Sequence, residues 1–109
     1  MSIWNLLSWQ QKEDIEEAVK ELEEAVSKFR YSKVYTEDID YFFYINISLH
    51  HGVVCSIYYE WLEGDDRPTL HTRIGNFHEP QYEMREAVKN IIDHLDYLDY
   101  ENSIGGDSK

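Results

Sequence analysis

The groups in this chain that could act on another molecule are five histidines, one cysteine, twenty-two carboxylates and a concentration of aromatic side chains. Their spacing points to binding and not to bond-making. His50, His51, His71, His78 and His94 fall into no HExxH or other metal-ligand pattern. His50, His51 and Cys55 flank one turn, but adjacent strand residues point to opposite faces, so the three do not converge on a metal. Cys55 alternates onto the apolar face of its strand, which makes it a packed thiol and not a nucleophile. No glycine-rich phosphate loop is present, since Gly105-Gly106 falls in the tail. Carboxylates are so abundant that they select no acid–base pair. The expectation is a non-enzymatic protein with no metal and no cofactor.

Three constellations suit a contact surface. In the first, Phe42, Tyr44 and Tyr58 alternate onto the face of a sheet that also takes Asn46, Glu60, His71 and Arg73. An antiparallel sheet with one solvated face ordinarily alternates with polar residues there. Aromatic rings in their place make rigid anchors for a partner. The second comprises Asp93, Asp96, Tyr97, Asp99 and Tyr100, with Tyr82 and Glu101 beside them. Carboxylates near a helix C-terminus oppose the helix dipole, and spaced acids of this kind can imitate phosphates. The third is an acidic helix face, Glu13, Glu17, Glu21 and Glu24, interrupted by Lys12, Lys20 and Lys28.

These residues need elements to hold them. Ser8 followed by Gln11 fits a capping box, and Ile15, Ala18, Val19, Leu22, Ala25, Val26 and Phe29 recur at helical spacing. A first helix is therefore predicted from about Trp9 to Arg30, with Trp4 and Leu7 packing back on the core ahead of it. Tyr31 to Asp38 reads as a polar link. From Ile39 the period becomes two, and the stretch from Ile39 to Leu62 reads as a hairpin turning at His50-His51-Gly52. Ile39, Tyr41, Phe43, Ile45, Ile47 and Leu49 make its core face, continued by Cys55, Ile57, Tyr59 and Trp61. The other face takes Val54, Ser56, Tyr58 and Glu60 with the even-numbered residues of the first run. Glu63 to Pro68 is a turn by composition, and a third strand is predicted from Thr69 to about Gly75. Pro80 suits the first turn of a second helix, which carries Met84, Ala87, Val88, Ile91, Ile92, Leu95 and Leu98 on its apolar stripe to about Tyr97. The prediction is an α+β two-layer sandwich of order α-β-β-β-α, a three-stranded antiparallel meander with both helices on one face. Residues 1–100 form one compact domain, and 101–109 a flexible C-terminal tail.

A chain of 109 residues is one domain in size. One cysteine excludes an internal disulfide and suits a reducing cytoplasm. The opening MSIWNLLSW lacks the basic start of a signal peptide, and no apolar run is long enough to span a bilayer. The net charge of −12 is spread along the chain: −3 over residues 12–30, −4 over 31–78 and −5 over 79–101. Such a field repels phosphate backbones and anionic lipid, so neither nucleic acid nor membrane is expected as a direct partner. It favours a basic partner.

The same order of elements occurs in double-stranded-RNA-binding domains, but where those carry basic residues at the start of the second helix this chain has Glu79, Glu83 and Glu86. In size, acidity and element order the chain is similar to small acidic phage inhibitors, among them some anti-CRISPR proteins. The similarity lies in composition and layout, which do not by themselves carry function. The expected function is a non-enzymatic acidic inhibitor or interaction protein that binds a basic, nucleic-acid-handling protein, partly as a nucleic-acid mimic. A toxin-neutralising immunity protein is the alternative, and homodimerisation through the aromatic sheet face is also compatible.

Overall fold

A computed structural model of the chain describes residues 2–50 and 52–107, with side chains described to residue 101. The chain runs from a short 3-10 helix at Ile3–Leu6 into α1 (Trp9–Val26), five strands, β1 (Lys33–Ile39), β2 (Phe42–Leu49), β3 (Gly52–Glu60), β4 (Thr69–Ile74) and β5 (Phe77–Gln81), and then α2 (Met84–Asp107). The strands form one antiparallel meander in the order β1-β2-β3-β4-β5. Both helices lie on one face of it, packed against each other and against the sheet. The α+β two-layer architecture is as the sequence predicts, and the sheet is wider by an edge strand on each side.

The core is built from the two helical stripes and the alternating strand residues. Leu22 of α1, Ile45, Ile47 and Ile57 of the sheet, and Ile91 and Leu95 of α2 are each at most 1% exposed. Burial of a side chain of this size is worth roughly 1.5–3 kcal/mol. The capping box at the start of α1 is present in both directions: the Gln11 amide donates to the Ser8 hydroxyl, and the Ser8 amide donates to the Gln11 side chain. Ahead of it, Ile3 and Leu7 are buried, and the Trp4 ring lies 5.1 Å from that of Phe43. α1 ends at Val26, short of Arg30. The Ser32 hydroxyl then donates to the carbonyls of Val26 and Phe29, and Tyr31 takes a positive φ of 59°.

Both edge strands differ from the sequence prediction. β1 occupies most of the stretch read as a polar link. It is half-exposed, as an edge strand can be, and only Val34 packs against the core cluster. Asp40, at φ 45°, and Tyr41 then form a two-residue loop, so Ile39 pairs with Phe42. Directly paired residues share a sheet face. Ile39 therefore lies on the outer face and Tyr41 in the turn, 47% and 52% exposed, and neither belongs to the core as predicted. At the other edge, Gly75-Asn76 turns the chain directly into β5, and Pro80 lies in that strand and not in a helix. An edge strand tolerates proline because its missing N–H faces outward. α2 accordingly starts at Met84.

One irregularity re-aims a side chain. The β2–β3 register shifts between Ile47 and Ser48, leaving Val54 as an extra residue on β3. Val54 packs against the core cluster, and not on the outer face where simple alternation places it. The second helix continues in backbone through Asp107, into the region expected as a tail, while residues 108 and 109 lie outside the described residues. So does His51 of the predicted turn.

Candidate functional site

With both helices on one side, the opposite face of the sheet has no helix over it. Its side chains come from alternate positions of all five strands. Register places Tyr35, Glu37 and Ile39 of β1 against Asn46, Tyr44 and Phe42 of β2, and these against Ser56, Tyr58 and Glu60 of β3. Thr69, His71 and Arg73 of β4 follow, with Pro80 and His78 of β5 beyond.

Two patterns share this face. The first is an aromatic cluster. Phe42 and Tyr44 stack with centroids 5.6 Å apart, Tyr44 and Tyr58 lie 5.4 Å apart, and His71 stacks on Tyr58 at 5.1 Å. His78 meets Tyr58 edge-on, and its Nδ1 lies 2.8 Å from the Tyr58 hydroxyl. Tyr58 is thereby reduced to 7% exposure by its neighbours alone, whereas Phe42 and Tyr44 stay half-exposed. The second is a polar row across the centre. The Ser56 hydroxyl donates to Asn46, whose amide donates to Glu37, and the Arg73 guanidinium donates to Ser56. Asn46 and Ser56 are buried, 5% and 1% exposed, so the row satisfies polar groups that are costly to leave unpaired.

Charge borders the rings. Glu60 lies 3.3 Å from His71 Nε2, which also meets the Thr69 hydroxyl at 3.0 Å. Burial pushes the Tyr58 phenol above its ordinary value, and the Glu60 carboxylate adds to that. Tyr44 is raised mainly by burial, with Arg73 opposing and Glu60 and Glu37 reinforcing the shift. The arrangement offers flat ring faces, hydroxyls and carboxylate acceptors, which suit a partner carrying basic side chains.

The structure thus brings together Phe42, Tyr44, Tyr58 and Glu60 of the predicted site. It does not join them to the acidic surfaces. Asp93, Asp96, Tyr97, Asp99 and Tyr100 belong to α2, on the helical side of the sheet. There Asp96 pairs with Lys28 of α1, and the Tyr97 hydroxyl donates to Glu101 at 2.8 Å. Glu13, Glu17, Glu21 and Glu24 are exposed along α1 in the same helical layer. The aromatic and acidic surfaces therefore occupy opposite sides of the molecule. Sequence reasoning missed Glu37, Ile39 and His78 on the outer face. The Gly-Asn pair before Phe77 is a hairpin signal that finds His78. Glu37 and Ile39 follow only once the Asp40-Tyr41 loop is placed, because it moves the outer face from even to odd positions.

His50 is exposed, its ring tilted against that of Tyr31 at 5.4 Å, while Cys55 is fully buried in the core, so the two do not share a site. Burial pushes the Cys55 thiol up to about 12. Among the described residues no helix is long and apolar enough to cross a membrane. Compared with known proteins, the chain matches no family model, no curated protein and no solved structure.

Proposed function

We propose that this chain is a non-enzymatic acidic binding protein that docks a basic, nucleic-acid-handling protein through its outer sheet face and inhibits it. The observation that carries this reading is the half-exposed pair Phe42 and Tyr44, set on the buried Tyr58 and bordered by Glu37 and Glu60 on a face that no helix covers. Ring faces anchored in this way present apolar area that is already ordered, and the loss of freedom on binding is small. The carboxylates beside them complement lysine and arginine on a partner. The charge of −12 supplies long-range attraction that speeds encounter. The acidic rows of α1 and α2 contribute to that field from the other side of the molecule, in the manner of a nucleic-acid mimic.

Affinity capture with the intact chain tests this, at low and at high salt, comparing the wild type with a Phe42→Ala/Tyr44→Ala variant. Both side chains are partly exposed, so the variant keeps the core. The expected result is a salt-sensitive basic partner retained by the wild type and lost by the variant. Equal capture by both refutes the sheet face as the contact. Failure to capture any basic nucleic-acid-binding protein refutes the function.

A further inference from the structure

A cavity of about 410 Å³ lies on the helical side of the sheet, where the start of α1, the turn before β4 and the start of α2 meet. Gln11 and Asp14 line it from α1, Tyr59 from β3, Arg67 from the turn, Gln81 from β5, and Glu83 from the residue before α2. Its volume is in the range of small-molecule sites.

Tyr59 marks it as more than a surface dip. Its ring belongs to the hydrophobic core, and the residue is 4% exposed. Among the described residues its hydroxyl nevertheless has no hydrogen-bond partner, and no fully enclosed side-chain polar atom lacks one. The hydroxyl therefore keeps some of the residue's small remaining exposure, and Tyr59 lines this cavity. A hydroxyl on so buried a side chain ordinarily finds a partner within the fold. The charges around it give the polarity of the group it suits. Two carboxylates, Asp14 and Glu83, line it with one guanidinium, that of Arg67. Burial drives the Tyr59 phenol up to about 12, and the Asp14 carboxylate adds to that. Asp14 accepts one hydrogen bond, from Gln10 at 3.0 Å, and a carboxylate has room for several more.

We propose that this cavity binds an alkylammonium group, held between the Tyr59 hydroxyl oxygen and the Asp14 carboxylate, with Glu83 adding to the attraction. The three N–H donors of such a cation match the acceptors among the residues that line the cavity. The site lies on the opposite side of the sheet from the aromatic face and does not depend on what that face binds. The cation has two natural sources, a free aliphatic diamine and a lysine side chain.

NMR titration of the intact protein with cadaverine, and separately with Nα-acetyllysine methylamide, tests the proposal. Saturable shifts at Tyr59 and Asp14 are expected. Saturation by cadaverine alone assigns the site to free amines, and saturation by the lysine derivative extends it to side chains. Tyr59→Phe keeps the buried ring and removes only the hydroxyl, and Asp14→Asn keeps the shape and removes the charge. Each is expected to weaken binding about tenfold or more, the effect of losing one hydrogen bond to a charged group. Glu23→Gln, exposed on the same helix about 14 Å away, is expected to leave binding unchanged. The proposal is overturned by an absence of saturation with both amines, by full binding in Tyr59→Phe, or by equal weakening in Glu23→Gln, which marks diffuse attraction to an acidic surface.

Discussion

Tyr58 and His78 meet across β4, the phenol oxygen 2.8 Å from the imidazole Nδ1, although twenty residues separate them in the chain. This contact ties the edge strand β5 to the centre of the outer face. His78 is exposed and keeps access to water when the phenol is removed. Tyr58→Phe is therefore expected to cost only about 0.5–1.5 kcal/mol, the net worth of a hydrogen bond. A lowered urea midpoint at unchanged slope checks this. A loss well above that range shows that the bond holds β5 in place.

The polar row beside the rings is less forgiving. Asn46→Ala strips the acceptor from the Ser56 hydroxyl, which is 1% exposed, and the donor from Glu37. The expected loss is about 1–3 kcal/mol, the cost of leaving a buried polar group unpaired. Adding Ser56→Ala to that variant is expected to recover part of the loss, because it removes the orphaned hydroxyl. Equilibrium denaturation of the two single variants and the double variant measures the coupling.

Alkaline pH is expected to destabilise the fold. The Cys55 thiol is raised from its ordinary 9.0 to about 12, and the Tyr59 phenol from 10.0 to about 12, both chiefly by burial. Both groups are acids whose neutral form the fold favours. Their contribution is fully present below the unfolded values and is lost as pH rises toward the folded ones, so stability falls from about pH 9 upward. For Cys55 the full effect is on the order of 4 kcal/mol. Denaturation midpoints across this range check the sign, and in Tyr59→Phe the fall above about pH 10 is expected to be shallower.

The same burial protects Cys55 from reagents. At 0% exposure and with its ionisation suppressed, the thiol is expected to be silent toward Ellman's reagent in the native protein and to react once denaturant is added. Prompt native reactivity contradicts the packing of β3 on the helices.

Leu22 and Lys28 separate core from surface on a short stretch of chain. Leu22→Ala empties a fully buried position, at 0% exposure, and is expected to cost about 2–5 kcal/mol. Lys28→Ala breaks the ion pair with Asp96, whose side chain is 61% exposed, and is expected to cost at most about 1 kcal/mol. Thermal melts of the two variants side by side make the comparison.

Much of the fold was legible in the sequence because its signals are local. The Ser8–Gln11 capping box, the stripe from Ile15 to Val26, and the alternation through Phe43, Ile45 and Ile47 each need only neighbouring residues to be read. The edge strands were not, because an edge strand has only one hydrogen-bonded neighbour and needs little apolar patterning. Glu37 and Asp38 made β1 look like a link. Pro80 obeys a helix-start rule and an edge-strand rule equally well, and only the pairing of Arg73 with His78 decides between them.

By itself, then, the sequence determined two amphipathic helices, a central hairpin, most of the core face of that hairpin and a strongly acidic surface, all consequences of period and composition. The tertiary structure decided what covers Tyr58, which face Ile39 joins, and that the aromatic and acidic surfaces lie on opposite sides. It also decided that Tyr59 and Asp14 line one cavity. Each of these depends on groups far apart in the chain meeting across strands or layers. Periodicity says which way a side chain points, and only the packed fold says what it meets there.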